Sequence, residues 1–119
     1  MIDILFALVV KHCIIDLGLQ SQLLANKTHK KVFYFGCHEH YIHHAIGTFV
    51  ALYFFTDISI VLLASVIDYL AHWHIDFAKH NLNNWLEYTR KDKLFWWVAV
   101  VDQLLHFLTY YLLVLYVIS

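Results

Sequence analysis

Four stretches of this chain are apolar over about 20 residues each, and each is interrupted by ionisable residues four positions apart. The third stretch is the clearest. It opens on Ile58-Ser-Ile-Val-Leu-Leu-Ala-Ser-Val-Ile67 and continues into Asp68-Tyr-Leu-Ala-His-Trp-His-Ile-Asp-Phe-Ala-Lys79. On a helix, Asp68, His72 and Asp76 share one face. Three ionisable groups on one stripe of an apolar helix need partners, a metal or water.

Nothing in the sequence breaks these stretches up. There is no proline, and of the three glycines only Gly36 lies clearly outside an apolar run. Helices can therefore run uninterrupted, and an all-β fold lacks its turn signals. Soluble domains average about 25% charged residues, whereas this chain has 14%, with 61% hydrophobic and 18% aromatic residues. The expected fold class is therefore all-α, a four-transmembrane-helix antiparallel bundle forming a single domain over residues 1–119. The expected helices run from about 2–25, 33–55, 58–79 and 94–118. Met1 to Val10 has no basic leader and is interrupted by Lys11-His12, so it reads as the start of a retained helix rather than a cleaved signal. The formal net charge of -1 gives no sign of a nucleic-acid partner. Cys13 and Cys37 lack metal-ribbon spacing and read as small buried hydrophobes.

The basic loops orient the bundle. Lys27, Lys30 and Lys31 follow helix one; Lys79, Arg90, Lys91 and Lys93 follow helix three. The positive-inside rule makes their shared side cytoplasmic and puts both termini outside, as in an inner-membrane protein of a bacterium. Counted from the cytoplasmic helix ends, Asp16, His44, His72 and Asp102 fall at one depth, roughly 10–14 Å in. A polar His/Asp layer in the cytoplasmic half is expected.

The polar residues come in pairs: His12/Asp16, His40/His44, His72/Asp76 and Asp102/His106. This i, i+4 spacing lets two side chains of one helix converge. Imidazoles and carboxylates are the usual ligands of zinc and other divalent first-row metals. One such pair alone is as well explained by an intrahelical contact; four of them in apolar helices favour a site for a metal or for protons. Lys11 stands near mid-span, where it would steer an anion or reach for water. Trp73, Trp96 and Trp97 are expected to face lipid or its interface.

The order His12-x3-Asp16-x3-Gln20 with Lys27, then His40-x3-His44, then His72-x3-Asp76-x2-Lys79, then Asp102-Gln103-x2-His106 resembles the domain-of-unknown-function family DUF3307 of bacteria and phages. The resemblance covers nearly the whole chain and implies a small integral membrane protein. It carries over the eight paired positions with Gln20, Gln103, Lys27 and Lys79, the last four expected around the site. The extra histidines His38, His43 and His74 depart from the pattern. A looser similarity is to membrane-bound metal-dependent hydrolases, whose bundles also carry intramembrane His and Asp.

The leading expectation is thus a membrane-embedded hydrolase that uses a divalent metal, zinc first. It would act on an amphipathic or lipid substrate near the cytoplasmic leaflet. His12, His40, His44, His72 and His106 would supply ligands; Asp16, Asp76 and Asp102 would be ligands, orienting groups or the general base. The lipid bilayer is the expected partner, and an oligomer is compatible. Two other readings stand beside it: a small proton- or metal-conducting transporter or channel, and a non-catalytic membrane partner whose polar core holds the helices together.

Overall fold

In the computed structural model, residues 1–19 and 35–119 are described, and they contain helices and no strands. Helix α1 spans Ile2–Cys13 and runs directly into a π-helical segment, Ile14–Leu19. Helix α2 spans Phe35–Leu52, α3 spans Ile58–Trp85 and α4 spans Lys93–Ile118. Each helix packs on its neighbours in sequence, and α1 also packs on α4. The four close into a ring in chain order, the up-down-up-down arrangement that short connections favour.

One stripe per helix faces inward. It runs through Ile4, Leu8 and His12 on α1 and through His40, His44, Thr48 and Leu52 on α2. On α3 it runs through Val61, Ala64, Asp68, His72 and Asp76, and on α4 through Asp102, His106, Tyr110 and Val114. These near-fourfold spacings keep a side chain on one face from turn to turn. The outward faces are the apolar ones: Phe6, Ile46, Val50, Leu62, Val66, Leu104 and Leu108 are all exposed. The polar residues are inside and much of the hydrocarbon is outside.

Two of the four helices, over Ile58–Asn83 and Lys93–Ile118, are long and apolar enough to cross a membrane, with mean hydropathies of 1.5 and 1.7. Among the described residues α1 and α2 do not pass that test, so the expectation of four spans is met by α3 and α4 alone.

The helix ends correct the sequence reading in two places. Helix α3 does not stop near Lys79; it continues to Trp85. The asparagine-rich run that read as loop stays helical, and Asn81 Nδ2 donates to the Phe77 carbonyl, 2.8 Å away. The helix ends at Glu87, which adopts a φ of 57°. The Tyr88 amide then reaches back to the Asn83 carbonyl at 2.9 Å, a Schellman closure with glutamate where glycine is usual. Thr89 and Asp92 finish the turn, the Thr89 amide donating to the Asp92 carboxylate at 2.7 Å. Helix α2 ends at Leu52, three residues short of its expected limit, in a turn stabilised by the Phe55 amide bonding the Leu52 carbonyl at 2.9 Å.

Candidate functional site

The i, i+4 pairs put one residue of each pair in each of two stacked layers. One turn of helix rises about 5.4 Å, so the members of a pair cannot lie at one height. His12, His44, His72 and His106, one from each helix, form the first layer and are all buried. Their rings touch. His72 stacks on His44 at 3.8 Å and on His106 at 4.1 Å between centroids, and His12 lies 5.2 Å from both His44 and His106. Asp16, His40, Asp76 and Asp102, again one per helix, form the second layer, toward the α3–α4 connection. The expectation that Asp16, His44, His72 and Asp102 share one depth is therefore corrected. Depth counted from Lys79 used the wrong end of α3, and the four residues divide between the two layers.

Within the second layer the donor atoms run in an unbroken sequence. His40 Nε2 is 3.4 Å from Asp16 Oδ1 and 3.7 Å from Asp76 Oδ2. His106 Nε2 is 3.2 Å from Asp76 Oδ1 and 3.4 Å from Asp102 Oδ1. Asp76 thus faces an imidazole with each of its oxygens. Lys79 caps this end, with Nζ 3.0 Å from Asp102 Oδ2 and 3.8 Å from Asp76 Oδ1. It is bonded into the cluster.

Among the described residues, three groups have donor atoms that all lie within 4.8 Å of one another: His12/His44/His72, Asp16/His40/His44 and Asp76/Asp102/His106. All seven residues expected as metal ligands, His12, His40, His44, His72, Asp76, Asp102 and His106, fall in these groups, as does Asp16. Gln103 lies beside them: its Nε2 donates to Asp102 at 3.2 Å and its Oε1 faces His12 Nε2 at 3.0 Å. Gln20 and Lys27 lie outside the described residues. His74 is exposed and bonds only its own helix, donating to the Leu70 carbonyl at 2.7 Å. Trp73, expected to face lipid, is half-buried and packs with Tyr69 beside the buried Tyr41. Trp96 and Trp97 are exposed.

A third layer was not expected. Lys11 does not reach for water. It is buried and its ammonium crosses the bundle to Asp68 at 2.6 Å, linking the diagonally opposite helices α1 and α3. Thr48 donates to the same Asp68 oxygen at 2.5 Å, and Lys11 also donates to the His44 carbonyl at 3.3 Å. Asp68 in turn holds His72, whose Nδ1 lies 2.8 Å from Asp68 Oδ1. A carboxylate on one imidazole nitrogen fixes the ring and leaves the other nitrogen as a lone pair facing inward. That nitrogen meets Tyr110, whose hydroxyl is 3.3 Å from His72 Nε2 and 2.7 Å from His12 Nδ1. Asp68 was visible in the sequence as the first member of the α3 stripe. Tyr110 carried a signal too, standing four residues after His106 on the same face.

The donor inventory assigns the protons. Lys11 Nζ lies 3.3 Å from His44 Nδ1, so that nitrogen accepts and Nε2–H donates to Asp16 Oδ1, 2.8 Å away. His12 Nε2 faces only acceptors, Gln103 Oε1 and, at 3.1 Å, Asp16 Oδ2, so it carries a hydrogen. The Tyr110 hydroxyl has one proton for two imidazole nitrogens, His12 Nδ1 and His72 Nε2. One inward lone pair therefore has no proton donor. Counted with every imidazole neutral, the charge is also unbalanced: four inward carboxylates, Asp16, Asp68, Asp76 and Asp102, meet two ammonium groups, Lys11 and Lys79, a formal excess of two negative charges among the described residues.

Such a core can hold one divalent cation or two added protons, and it can pass a proton from group to group. No curated protein and no solved structure matches the chain. Residues 4–119 match the family described as "Protein of unknown function (DUF3307)". The His/Asp pairs that fill the two layers lie within that match, and the chain belongs to the DUF3307 family.

Proposed function

We propose that this chain is an integral membrane protein whose polar layers hold a divalent metal, zinc first, and that it hydrolyses an amphipathic or lipid substrate near the cytoplasmic leaflet. The observation that carries the reading is the run Asp16–His40–Asp76–His106–Asp102, in which neighbouring donors stand 3.2–3.7 Å apart. In a tetrahedral zinc site with bonds of about 2.1 Å, donors stand roughly 3.4 Å apart. The charge excess agrees: one divalent ion cancels it, and uncompensated charge away from water is costly.

His40, Asp76, Asp102 and His106 would hold the ion, and His12, His44 and His72 line the adjoining layer. A bound divalent ion activates water and polarises a carbonyl or phosphoryl oxygen. Asp16, held between His12 and His44, is placed to accept a proton from a nucleophile. Asp68 fixes the His72 ring, and Lys79 sets the position of Asp102. The orientation argued from the basic loops, with both termini outside the bacterial inner membrane, belongs to the same reading.

The test is elemental analysis of the detergent-purified protein beside Asp76→Asn and His106→Ala. About one equivalent of zinc or another divalent metal is expected, the amount that neutralises the core, and it should be lost in both variants. A folded wild-type protein that carries no metal and takes none up on dialysis would end this reading.

A second reading has its own support. Asp16, His12, Tyr110, His72, Asp68 and Lys11 stand in one chain of polar contacts of 2.6–3.3 Å, made of groups that can accept and release protons. A proton-conducting membrane protein would use such a path. Liposomes loaded with a pH-sensitive dye would acidify through the wild type and not through Tyr110→Phe.

A further inference from the structure

The seven expected ligands are each at most 3% exposed, so anything that reaches them must pass through the wall of the bundle. Two concavities in that wall come near. The larger, about 470 Å³ between α1 and α2, has Lys11 in its lining. The Lys11 ammonium is held by Asp68, the His44 carbonyl and His44 Nδ1, at 2.6–3.3 Å. A side chain at Gly47 would meet Ile15 Cδ1 at 2.6 Å, so this floor is shut. The smaller, about 120 Å³ between α3 and α4, has two members of the second layer, Lys79 and Asp102, in its own lining.

Lys79 is held less tightly than Lys11. Its ammonium carries three hydrogens, and among the described residues it makes one hydrogen bond, to Asp102 Oδ2 at 3.0 Å. Asp76 Oδ1, at 3.8 Å, is beyond hydrogen-bond range. The Lys79 side chain keeps 17% of its surface exposed, against 8% for Lys11. The other walls of the cleft are hydrocarbon, Ala78, Leu82, Val101 and Leu105 among them, and the last three are exposed on the outer faces of α3 and α4. A cation with unused hydrogens inside a hydrocarbon cleft suits an oxygen carried on an apolar chain. The volume is below the roughly 300–1,000 Å³ of a pocket that encloses a whole ligand. The cleft therefore takes a head and its first carbons, and leaves the rest of the chain along the outer faces.

The charge of the second layer decides between kinds of oxygen. With imidazoles neutral, Asp16, Asp76 and Asp102 against Lys79 leave two negative charges, and one divalent ion cancels them. A phosphate would add negative charge that nothing in the layer offsets, and uncompensated charge away from water is costly. The carbonyl oxygen of an ester or amide adds no charge and accepts a hydrogen from an ammonium.

We infer that the α3–α4 cleft is the entrance to the second layer and that Lys79 there binds the carbonyl oxygen of an uncharged single-chain ester or amide. The inference rests on the hydrolase reading and narrows its substrate from carbonyl or phosphoryl compounds to carbonyl ones. It also sets the reacting carbon beside Asp102, on the side of the layer that Lys79 caps.

Infrared spectroscopy tests it on the full chain in detergent micelles, stripped of metal by a chelator, with methyl laurate carrying carbon-13 at its carbonyl. Stripping prevents turnover and leaves Lys79 as the donor. A carbonyl band displaced to lower frequency by the ammonium is expected, saturating as ester is added. Lys79→Met should abolish the displaced band. Ala78→Trp fills the cleft without touching the ion pair; it should abolish the band too, and it serves should the first variant fail to fold. Dodecyl phosphate at equal concentration should leave the band in place. A spectrum without a displaced band, a band that persists in either folded variant, or its removal by dodecyl phosphate overturns the inference. The metal content of the protein before stripping separates the two ideas. A protein that carries and takes up no metal but shows the Lys79-dependent band keeps the entrance and loses the hydrolase; a metal-binding protein without the band does the reverse.

Discussion

The two halves of this bundle's core are built from the same four helices by opposite means. Toward the termini and the α2–α3 connection, Ile4, Leu8, Leu52, Val61, Ala64, Leu113 and Val114 fill the interior. Toward the α3–α4 connection the interior is imidazole, carboxylate and ammonium. In a bilayer these halves do different work. Lipid tails solvate leucine as well as a leucine core does, so the apolar half gains its stability from packing and not from escape from water. It also contains little that distinguishes one helix face from another, because the outer faces are equally apolar. The polar half does distinguish them. Asp68, His72 and Asp76 cannot face lipid cheaply, so they fix which side of α3 points inward, and Lys11 fixes α1 against it. In the proposed setting the apolar half supplies close packing, and the polar half supplies rotation and register.

The largest effect should come from breaking the diagonal pair. Lys11→Met leaves Asp68 buried beside Thr48 and His72 without its cation and should cost about 3–5 kcal/mol. Unfolding in mixed micelles measures it. The double variant Lys11→Met with Asp68→Asn should recover most of that loss; failure to recover would mean that the Asp68 carboxylate is needed by His72 and Thr48 as much as by the lysine. Next is Leu52→Ala in the other half. A comparable deletion in a water-soluble core costs 2–5 kcal/mol, and here about 2 kcal/mol is expected, since only packing is lost. Metal content should be unchanged. A cost as large as that of Lys11→Met would erase the contrast drawn between the halves. Smallest is Tyr110→Phe, which withdraws the one hydroxyl shared by His12 and His72 and should cost about 1–2 kcal/mol in the same assay.

Much of this was legible in the sequence, for a definite reason. Ionisable residues at i, i+4 stand out against apolar helices, so all four pairs were visible, and the structure brings all eight residues to the interior. Their arrangement in layers was not visible, because height in a bundle depends on where helices end. The α3 terminus is set by a Schellman turn at Glu87 rather than by the asparagines that look like its stop. The Lys11–Asp68 pair was hidden because it spans 57 positions and crosses the bundle diagonally. Tyr110 stands four residues after His106 on the same face, but that spacing does not show that its hydroxyl is buried between two imidazoles of other helices. The π-helical segment at Ile14–Leu19 gave no sign in the residue pattern; it follows Cys13 without any proline and includes Asp16, and such segments gather at functional sites.

The Lys11–Asp68 link also bears on how the chain reaches its final state. A charged residue near the centre of a lone spanning helix raises the cost of its insertion by about 2.5–3.5 kcal/mol. Helix α3 carries Asp68 and Asp76 there; its own Lys79 stands beside Asp76, but it holds no lysine or arginine against Asp68. In the proposed membrane setting the cation that matches Asp68 is on α1, which is made earlier and separated from α3 by α2. Helix α1 must therefore wait, with its own lysine unmatched, until the third helix arrives. If the helices span a membrane as proposed, they are poor candidates for threading into it one at a time, and their integration should depend on holding α1 beside the insertion machinery until its partner emerges.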